Sequence, residues 1–437
     1  MEHHINSISN ISLTYQSFIA ILIFLSAYIF IATEKINKTI IALLGASAMV
    51  GLHLIHSKDV FKYIDFNVIF LLIGMMIIAE VVGKTGLFEF VGAWIAKKAK
   101  GNPIKIIIWI LSFHAFTSAF LDNVTTAILI VPITLAISQQ LEINPTPILI
   151  LEAIVGNIGG TATLIGDPPN LLIGSARHLS FMDFIKTLAP PVIVMMIVLN
   201  TILYFLFRNK LKVSIEAQAR LKNLNPKAAI KDKKFFIQSL SVLLGTILLF
   251  FVHEYIDIEA SFIALFGASI ILLIDKDEPE ELFKNLEWST ILFFAGLFIM
   301  VGTLEELGVL KYISEKLIDI SGNSLLILTF VILWGAAIIS AIVDNIPLVA
   351  ALIPMLKHVE ESSLYSGNIE VIWWALALGA CLGGVATIIG ASDNVIIVQM
   401  AKKNGYEISF GKFAKYGVPS MILVLLISSL YLYIRFF

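Results

Sequence analysis

Two stretches decide the fold of this chain: Ser118-Ala-Phe-Leu-Asp122-Asn123-Val-Thr125-Thr126 and Ser340-Ala-Ile-Val-Asp344-Asn345-Ile-Pro347-Leu348. They align at a shift of 222 residues, which Pro132/Pro354, Gly45-Ala-Ser47/Gly267-Ala-Ser269, Gly74/Gly296 and Gly86/Gly308 share. Further along, Gly159-Gly160-Thr-Ala-Thr163-Leu-Ile-Gly166 matches Gly383-Gly384-Val-Ala-Thr387-Ile-Ile-Gly390 at a shift of 224, as Asn170 matches Asn394. Ser180-Phe181, Lys186 and Pro190 recur as Ser409-Phe410, Lys415 and Pro419 at a shift of 229. Apolar runs resemble one another by chance, since Leu, Ile and Val recur everywhere. Asp, Asn, Gly and Pro matched in one order do not, so the chain reads as two copies of one unit.

The medium for which those copies are built follows from composition. Of 437 residues, 58% are hydrophobic and 14% charged, against roughly 45–50% and 25% in soluble domains, and mean hydropathy is +0.91. The apolar residues fall in blocks at 18–31, 40–54, 68–82, 191–207, 239–251, 261–274 and 416–433. Several approach the ~20 residues that cross a bilayer, and in hydrocarbon each must be helical to satisfy its own backbone. A net charge of −2 gives no reason to expect nucleic acid, and a single cysteine, Cys381, forms no intrachain disulfide. The opening MEHHINS lacks a basic leader region, so a removed signal peptide is not expected.

Within the first copy the reading is three apolar helices (16–33, 38–55, 66–83) and a short amphipathic helix with Leu87, Phe90, Val91, Trp94 and Ile95 on one face. Two half-length arms, 104–120 and 124–140, then meet at Asp122-Asn123 as a re-entrant hairpin. A helix near 147–165 breaks at Gly166-Asp167-Pro168-Pro169-Asn170, because proline withholds a donor, and a last helix runs from about 188 to 208. The expected fold is therefore an all-α polytopic membrane protein of two repeats, each with five transmembrane helices (one broken) plus a hairpin. Five crossings invert the second copy, as in many secondary transporters with a site at midplane. Residues 1–207 form the first repeat, 208–236 a basic cytoplasmic linker and 237–437 the second repeat. This topology, with both termini outside, puts 22 of the 30 Lys and Arg on the inner side, as the positive-inside rule requires. The linker's lysines also suit a tether to anionic membrane lipid.

Four acids lie in segments otherwise suited to hydrocarbon: Asp122 and Asp344 at the tips, Asp167 and Asp393 at the breaks. A carboxylate at depth costs ~3 kcal/mol or more unless paired or wetted. One reading makes them caps for broken helices. The sharper reading has tips and breaks converge on an ion, with oxygen ligands from Asp122, Asn123, Thr125, Thr126, Thr163, Asp167, Asn170, Asp344, Asn345, Thr387, Ser392, Asp393 and Asn394, and with helix N-termini nearby. Asp122-Asn123 and Asp344-Asn345 are the expected sodium ligands. The second tip has Pro347 and Leu348 where the first has Thr125 and Thr126, so the site is chemically lopsided. Thr163 and Thr387 either ligate or bond back to a carbonyl, and the Gly-Gly pairs either serve the site or permit close helix packing. Glu80 and Glu152 have no acidic counterpart, and His114 is either a proton relay or a packed histidine. No GxxxxGK[ST], HExxH or GxSxG motif occurs, so neither ATP hydrolysis by a P-loop nor those protease and hydrolase chemistries are expected. No cofactor is expected beyond sodium or a proton as coupling ion.

Ser118–Thr126, Asn157-Ile-Gly-Gly160, Gly166-Asp-Pro-Pro-Asn170, Ser340–Pro347, Gly379-Ala-Cys-Leu-Gly-Gly384 and Gly390-Ala-Ser-Asp-Asn394 resemble the ion transporter superfamily over roughly 15–437. The nearest branch holds the arsenite pump membrane subunit, the NhaD-type sodium/proton antiporters and the pink-eyed dilution P protein. The resemblance implies a homodimeric multi-pass protein of the cell membrane. In it a scaffold would carry a mobile, elevator-like transport unit coupled to sodium or protons, with inorganic ions or small anions as cargo. Dicarboxylate carriers of the superfamily have Ser-Asn-Thr at the tips; the Asp-Asn here favours a cation or proton over a naked carboxylate. The leading expectation is sodium/proton antiport. Next comes a sodium- or proton-coupled carrier of an anion or organic acid such as citrate. Arsenite efflux is weakly supported by one thiol, and a channel or receptor subunit stands as a different class.

Overall fold

The structure, a computed structural model, describes residues 14–437 other than Glu34, 209–212, Asn323 and Ser363. The reading of the first residues as lacking a signal peptide, and part of the basic linker, lie outside the described residues. The chain folds as α1 (Tyr15–Thr33), α2 (Lys38–Gly51), α3 (Phe66–Lys84), α4 (Leu87–Lys98), α5 (Pro103–Ser118), α6 (Asn123–Leu141), α7 (Thr146–Gly160), α8 (Pro168–Arg177), α9 (Phe181–Phe207) and α10 (Ile215–Lys222). It continues as α11 (Lys233–Val252), α12 (Ala260–Ile274), α13 (Pro279–Asn285), α14 (Trp288–Glu306), α15 (Val309–Ser321), α16 (Leu325–Ser340), α17 (Asn345–Glu361), α18 (Val371–Gly383), α19 (Ser392–Lys403) and α20 (Phe410–Phe436). No strand occurs among the described residues. Six helices (α3, α6, α9, α11, α14 and α20) are long and apolar enough to cross a bilayer, or seven if α15 and α16, bent by 120°, count as one.

Local chemistry sets the boundaries. Asn37, Asn102 and Asp122 cap α2, α5 and α6 through their side chains, satisfying amides that have no partner inside a helix. The last helix of the first half begins at Phe181 rather than 188, because Ser180 and Asp183 form a capping box and the helix then carries Pro190 and Pro191 within it. The second hairpin arm, α6, runs 19 residues and is long enough to span; Gln139 and Gln140 extend it until Glu142 turns left-handed at φ 58°. In α4 the buried side is Phe88, Gly92, Ile95 and Ala96, while Trp94 stays 48% exposed. Gly86 before α4 and Gly308 before α15 both adopt positive φ, 81° and 71°, which glycine reaches without the Cβ penalty.

The described chain divides into two compact units. One holds residues up to Asp65 with Trp288–Val331 and Ala350–Ile372; the other holds Phe66–Glu287, Ile332–Val349 and Trp373–Phe437. Each is tied by a glycine contact between the two sequence copies. In the second unit, a Cβ on Gly74 of α3 would stand 2.6 Å from the backbone of Ala264 in α12. In the first, a Cβ on Gly296 of α14 would stand 2.8 Å from the backbone of Ala42 in α2. The shift of 222 carries 74 to 296 and 42 to 264, so one contact is the other with the copies exchanged. Small residues give such backbones their close approach.

Candidate functional site

All of the expected site residues lie in the second unit. Both hairpin tips are built alike. The Ser118 hydroxyl donates to the Gly156 carbonyl at 2.9 Å, and the Ser340 hydroxyl to that of Ala380 at 2.6 Å. Thr163 donates to the Ala119 carbonyl, and Thr387 to the Ala341 carbonyl at 2.6 Å. Of the two readings open for these threonines, bonding to a carbonyl is what the geometry shows, and the carbonyl belongs to the tip rather than to their own helix. Asn170 Nδ2 donates to the carbonyls of Thr161 (3.1 Å) and Thr163 (2.8 Å), and Asn394 Nδ2 to those of Gly384 and Thr387, both 2.8 Å. Carbonyls freed by each break are thus satisfied by an asparagine two to three positions past it, as a water-poor interior demands.

The glycine pairs serve both purposes left open. A Cβ on Gly159 would meet the Ala115 carbonyl oxygen at 2.1 Å, and one on Gly383 that of Ala337 at 2.5 Å, so the first glycine of each pair lets the hairpin arm touch the broken helix. The second faces side chains of the site. A Cβ on Gly160 would stand 2.4 Å from Asn123 Oδ1, and one on Gly384 3.3 Å from Asn157 Oδ1.

The four acids differ in their partners. Asp122 accepts from the Thr125 amide at 2.9 Å and from the Thr125 hydroxyl, so it caps its own arm. Asp344 accepts from the Ile346 amide at 3.1 Å and from the Ser392 hydroxyl at 2.7 Å. Asp167 accepts from Asn345 Nδ2 at 3.3 and 3.4 Å. Asp393 accepts from Asn157 Nδ2 at 3.1 and 3.4 Å. Asp167 lies within electrostatic reach of both Asp393 and Asp344. The structure therefore gathers Asp167, Asp344 and Asp393 with Asn345, Ser392 and Asn157, while the hydrogen bonds of Asp122 stay within its own tip. Assigned so that its bonds are met, the Asn123 amide nitrogen donates to the carbonyls of Gly156 and Gly166, each at 3.2 Å. Both tip asparagines thus present amide nitrogen to their neighbours, while the Oδ1 of buried Asn157 has no hydrogen-bond partner among the described residues. Thr126 is fully buried, and its hydroxyl has no hydrogen-bond partner among the described residues.

Two residues of the site were not among those expected. Asn157 on α7 bridges Asp393 and, at 3.1 Å, Asn394 Oδ1. Its counterpart Cys381 on α18 stands 3.6 Å from Asn170 Oδ1 and faces the Asp167 carboxylate. The matching shift of 224 was the signal that pointed to both positions. No Lys or Arg occurs in 118–126, 156–170, 340–348 or 380–394. Among the described residues no group of three His, Cys, Asp or Glu is placed to hold a metal ion, so a bound ion would draw on amides, hydroxyls and carbonyls as well.

Beside α8 lies a cavity of about 280 Å³, with buried Leu164, Leu171 and Gly174 on one side and exposed Glu254, Asp257 and Glu259 on another. Glu80, unmatched in the second copy, accepts from Asn285 Nδ2 at 2.9 Å. Arg177 ends α8, beyond the break.

The chain resembles proteins already known. The 46 kDa membrane protein of Mycobacterium leprae is 40% identical over 425 residues, covering 96% of this chain and 99% of that one. The P protein of Sus scrofa is 30% identical over 503 residues, covering 96% of this chain and 60% of that one. The solved YdaH transporter of Alcanivorax borkumensis superposes with a TM-score of 0.62 at 12% identity, over 96% of this chain and 98% of that one, a likeness of fold. The citrate transporter family, CitMHS, matches residues 28–379, which makes the chain a transporter rather than an enzyme. With its apolar spans and its acids at helix tips and breaks, the chain belongs to the citrate transporter family and is a multi-pass membrane transporter.

Proposed function

We propose that this transporter exchanges sodium for protons at the acids of its tips and breaks. The carrying observation is four carboxylates, at 122, 167, 344 and 393, in segments that hold no Lys or Arg. Negative charge at that depth, with no basic residue in the same segments, calls for a cation or a proton. Each carboxylate binds sodium when ionised and a proton when neutral, so the two ions displace one another. The acid-lined cavity beside α8 supports a cation route, since like-signed walls concentrate the opposite charge. Placement of every site residue in one compact unit supports an elevator motion that carries the site as a block. The two sequence copies would then be inverted repeats, 1–207 and 237–437, joined by the basic linker 208–236. The protein would work as a homodimer in lipid.

The test is proton flux across proteoliposomes, read by a pH dye after adding sodium, lithium or potassium. A saturable response to sodium or lithium, lost in Asp122→Asn and Asp344→Asn, supports exchange at the tips. An intact response in Asp344→Asn would overturn the assignment.

A second reading rests on the family itself, which is named for citrate. Here the acids hold only the coupling cation, and the N-termini of α8 and α19 face the organic acid. Stabilisation of the purified protein by citrate or succinate, with no cation-triggered proton flux, would favour it.

A further inference from the structure

Outside the acids already described, one buried ionisable pair is left without a role. His114 on α5 and Glu152 on α7 are both fully buried, and His114 Nδ1 stands 3.9 Å from Glu152 Oε1. Glu152 Oε1 accepts from the Thr134 hydroxyl of α6. Neither nitrogen of His114 nor Glu152 Oε2 has a hydrogen-bond partner among the described residues. A histidine held only for packing would satisfy at least one nitrogen; here His114 Nδ1 is turned toward Glu152 with no hydrogen bond made among the described residues. The other side of the ring looks at the site. A Cβ on Gly156 would stand 3.0 Å from His114 Nε2 and 3.6 Å from Asp393 Oδ2, so both atoms border the space that the missing side chain of Gly156 leaves open.

We propose that His114 and Glu152 are a proton relay linking Asp393 to the N-terminal half of α7, which the charge-based topology places toward the cytoplasm. The proposal rests on the proton-coupled reading above. A proton leaves the Asp393 carboxyl for His114 Nε2, and the proton on Nδ1 passes to the Glu152 carboxylate. The net change is one proton moved from Asp393 to Glu152, and the imidazole exchanges one tautomer for the other and resets by turning over. The proton thereby leaves the site away from the acid-lined cavity at α8, so the two ions do not share a single path. The charged groups facing the relay are few. Glu152 is the only one on α7 and α6 carries none; α5 has Lys105 at its exposed far end, and α19 offers Asp393, its lysines being in the last turn. Those of α4, α9 and α20 are Glu89, Lys97 and Lys98, then Asp183 and Lys186, then Lys412, Lys415 and Arg435, all on exposed faces or terminal turns.

The experiment compares two fluxes in proteoliposomes of the full chain: sodium-driven proton flux, and sodium–sodium exchange followed with radioactive sodium, which moves no proton. In His114→Gln, Glu152→Gln and Gly156→Ala, proton flux should fall roughly tenfold or more while sodium exchange persists, and Glu152→Asp should recover part of it. Asp344→Asn should lose both. Proton flux unchanged in the first three variants overturns the relay, and so does an equal loss of both fluxes, which would mark a structural role. If the wild type moves no protons under any gradient, the exchange reading fails, and infrared pH titration decides the relay separately. A carboxyl band absent in Glu152→Gln and displaced in His114→Gln and Asp393→Asn upholds the linkage; a band indifferent to both overturns it.

Discussion

Asn157 donates its side-chain amide to Asp393 at 3.1 Å, joining a broken helix of the first sequence copy to the break acid of the second. Cys381, the counterpart of Asn157, makes the reciprocal approach to Asn170 and Asp167 of the first copy. Each copy therefore supplies the polar neighbour for the other copy's break, and the chain's only thiol is placed inside the site. Thiol alkylation becomes a readout of occupancy. Cys381 is fully buried, so a membrane-permeant maleimide reaches it only when the site opens; at sodium ten times its dissociation constant labelling should slow roughly tenfold if only the empty fraction opens, and potassium should leave it unchanged. Labelling indifferent to every cation would separate Cys381 from the ion's position.

Close approach of hairpin arm and broken helix depends on Gly159 and Gly383. Alanine there would drive a Cβ to 2.1 Å from the Ala115 carbonyl oxygen and 2.5 Å from that of Ala337, and backbone has no rotamer by which to yield. Gly159→Ala and Gly383→Ala should each destabilise the protein by ~1–3 kcal/mol, read as a lowered melting temperature in detergent. Gly245 and Gly411 have no atom within 4 Å of a built Cβ. Alanine at those helical positions should be neutral or stabilising by up to ~1 kcal/mol.

Thr163 and Thr387 clamp the tips through the carbonyls of Ala119 and Ala341. Valine keeps the shape and removes the donor, stranding a buried carbonyl at a cost of about 1–3 kcal/mol. Thr163→Val and Thr387→Val should both lower stability by that order, and Thr→Ser should restore it. Were the threonines ion ligands instead, valine would raise the apparent Km for sodium while leaving the melting temperature unchanged.

The tips and breaks were legible because they rest on local chemistry that recurs in both copies: Asp-Asn before a helix, and a glycine four residues ahead of an asparagine at each halt, Gly166 to Asn170 and Gly390 to Asn394. The pairing of Asn345 with Asp167 was not, because it depends on which helices meet, and no spacing along the chain encodes that. Symmetry was also an imperfect guide. It discounted Glu152, whose counterpart is Leu376, yet the structure buries Glu152 beside His114 and Thr134. The start of α9 was hidden for another reason. Asp183 and Lys186 interrupt the apolar run at its start, and the capping box at Ser180 and Asp183 outweighs hydropathy in setting where a helix begins.

Competition between sodium and protons for the same carboxylates makes a quantitative demand on pH dependence. Where the acids are protonated, each proton that sodium must displace lowers its apparent affinity about tenfold per pH unit. Exchange of one sodium for two protons would therefore steepen the plot of log Km against pH to a slope near two, and one-for-one exchange would give a slope near one. Thr126→Val, which deletes a hydroxyl and no titrating group, should raise the Km without altering the slope. A Km independent of pH across the acid range would mean that sodium and protons occupy separate sites, and the carboxylates of the tips would then belong to one ion only.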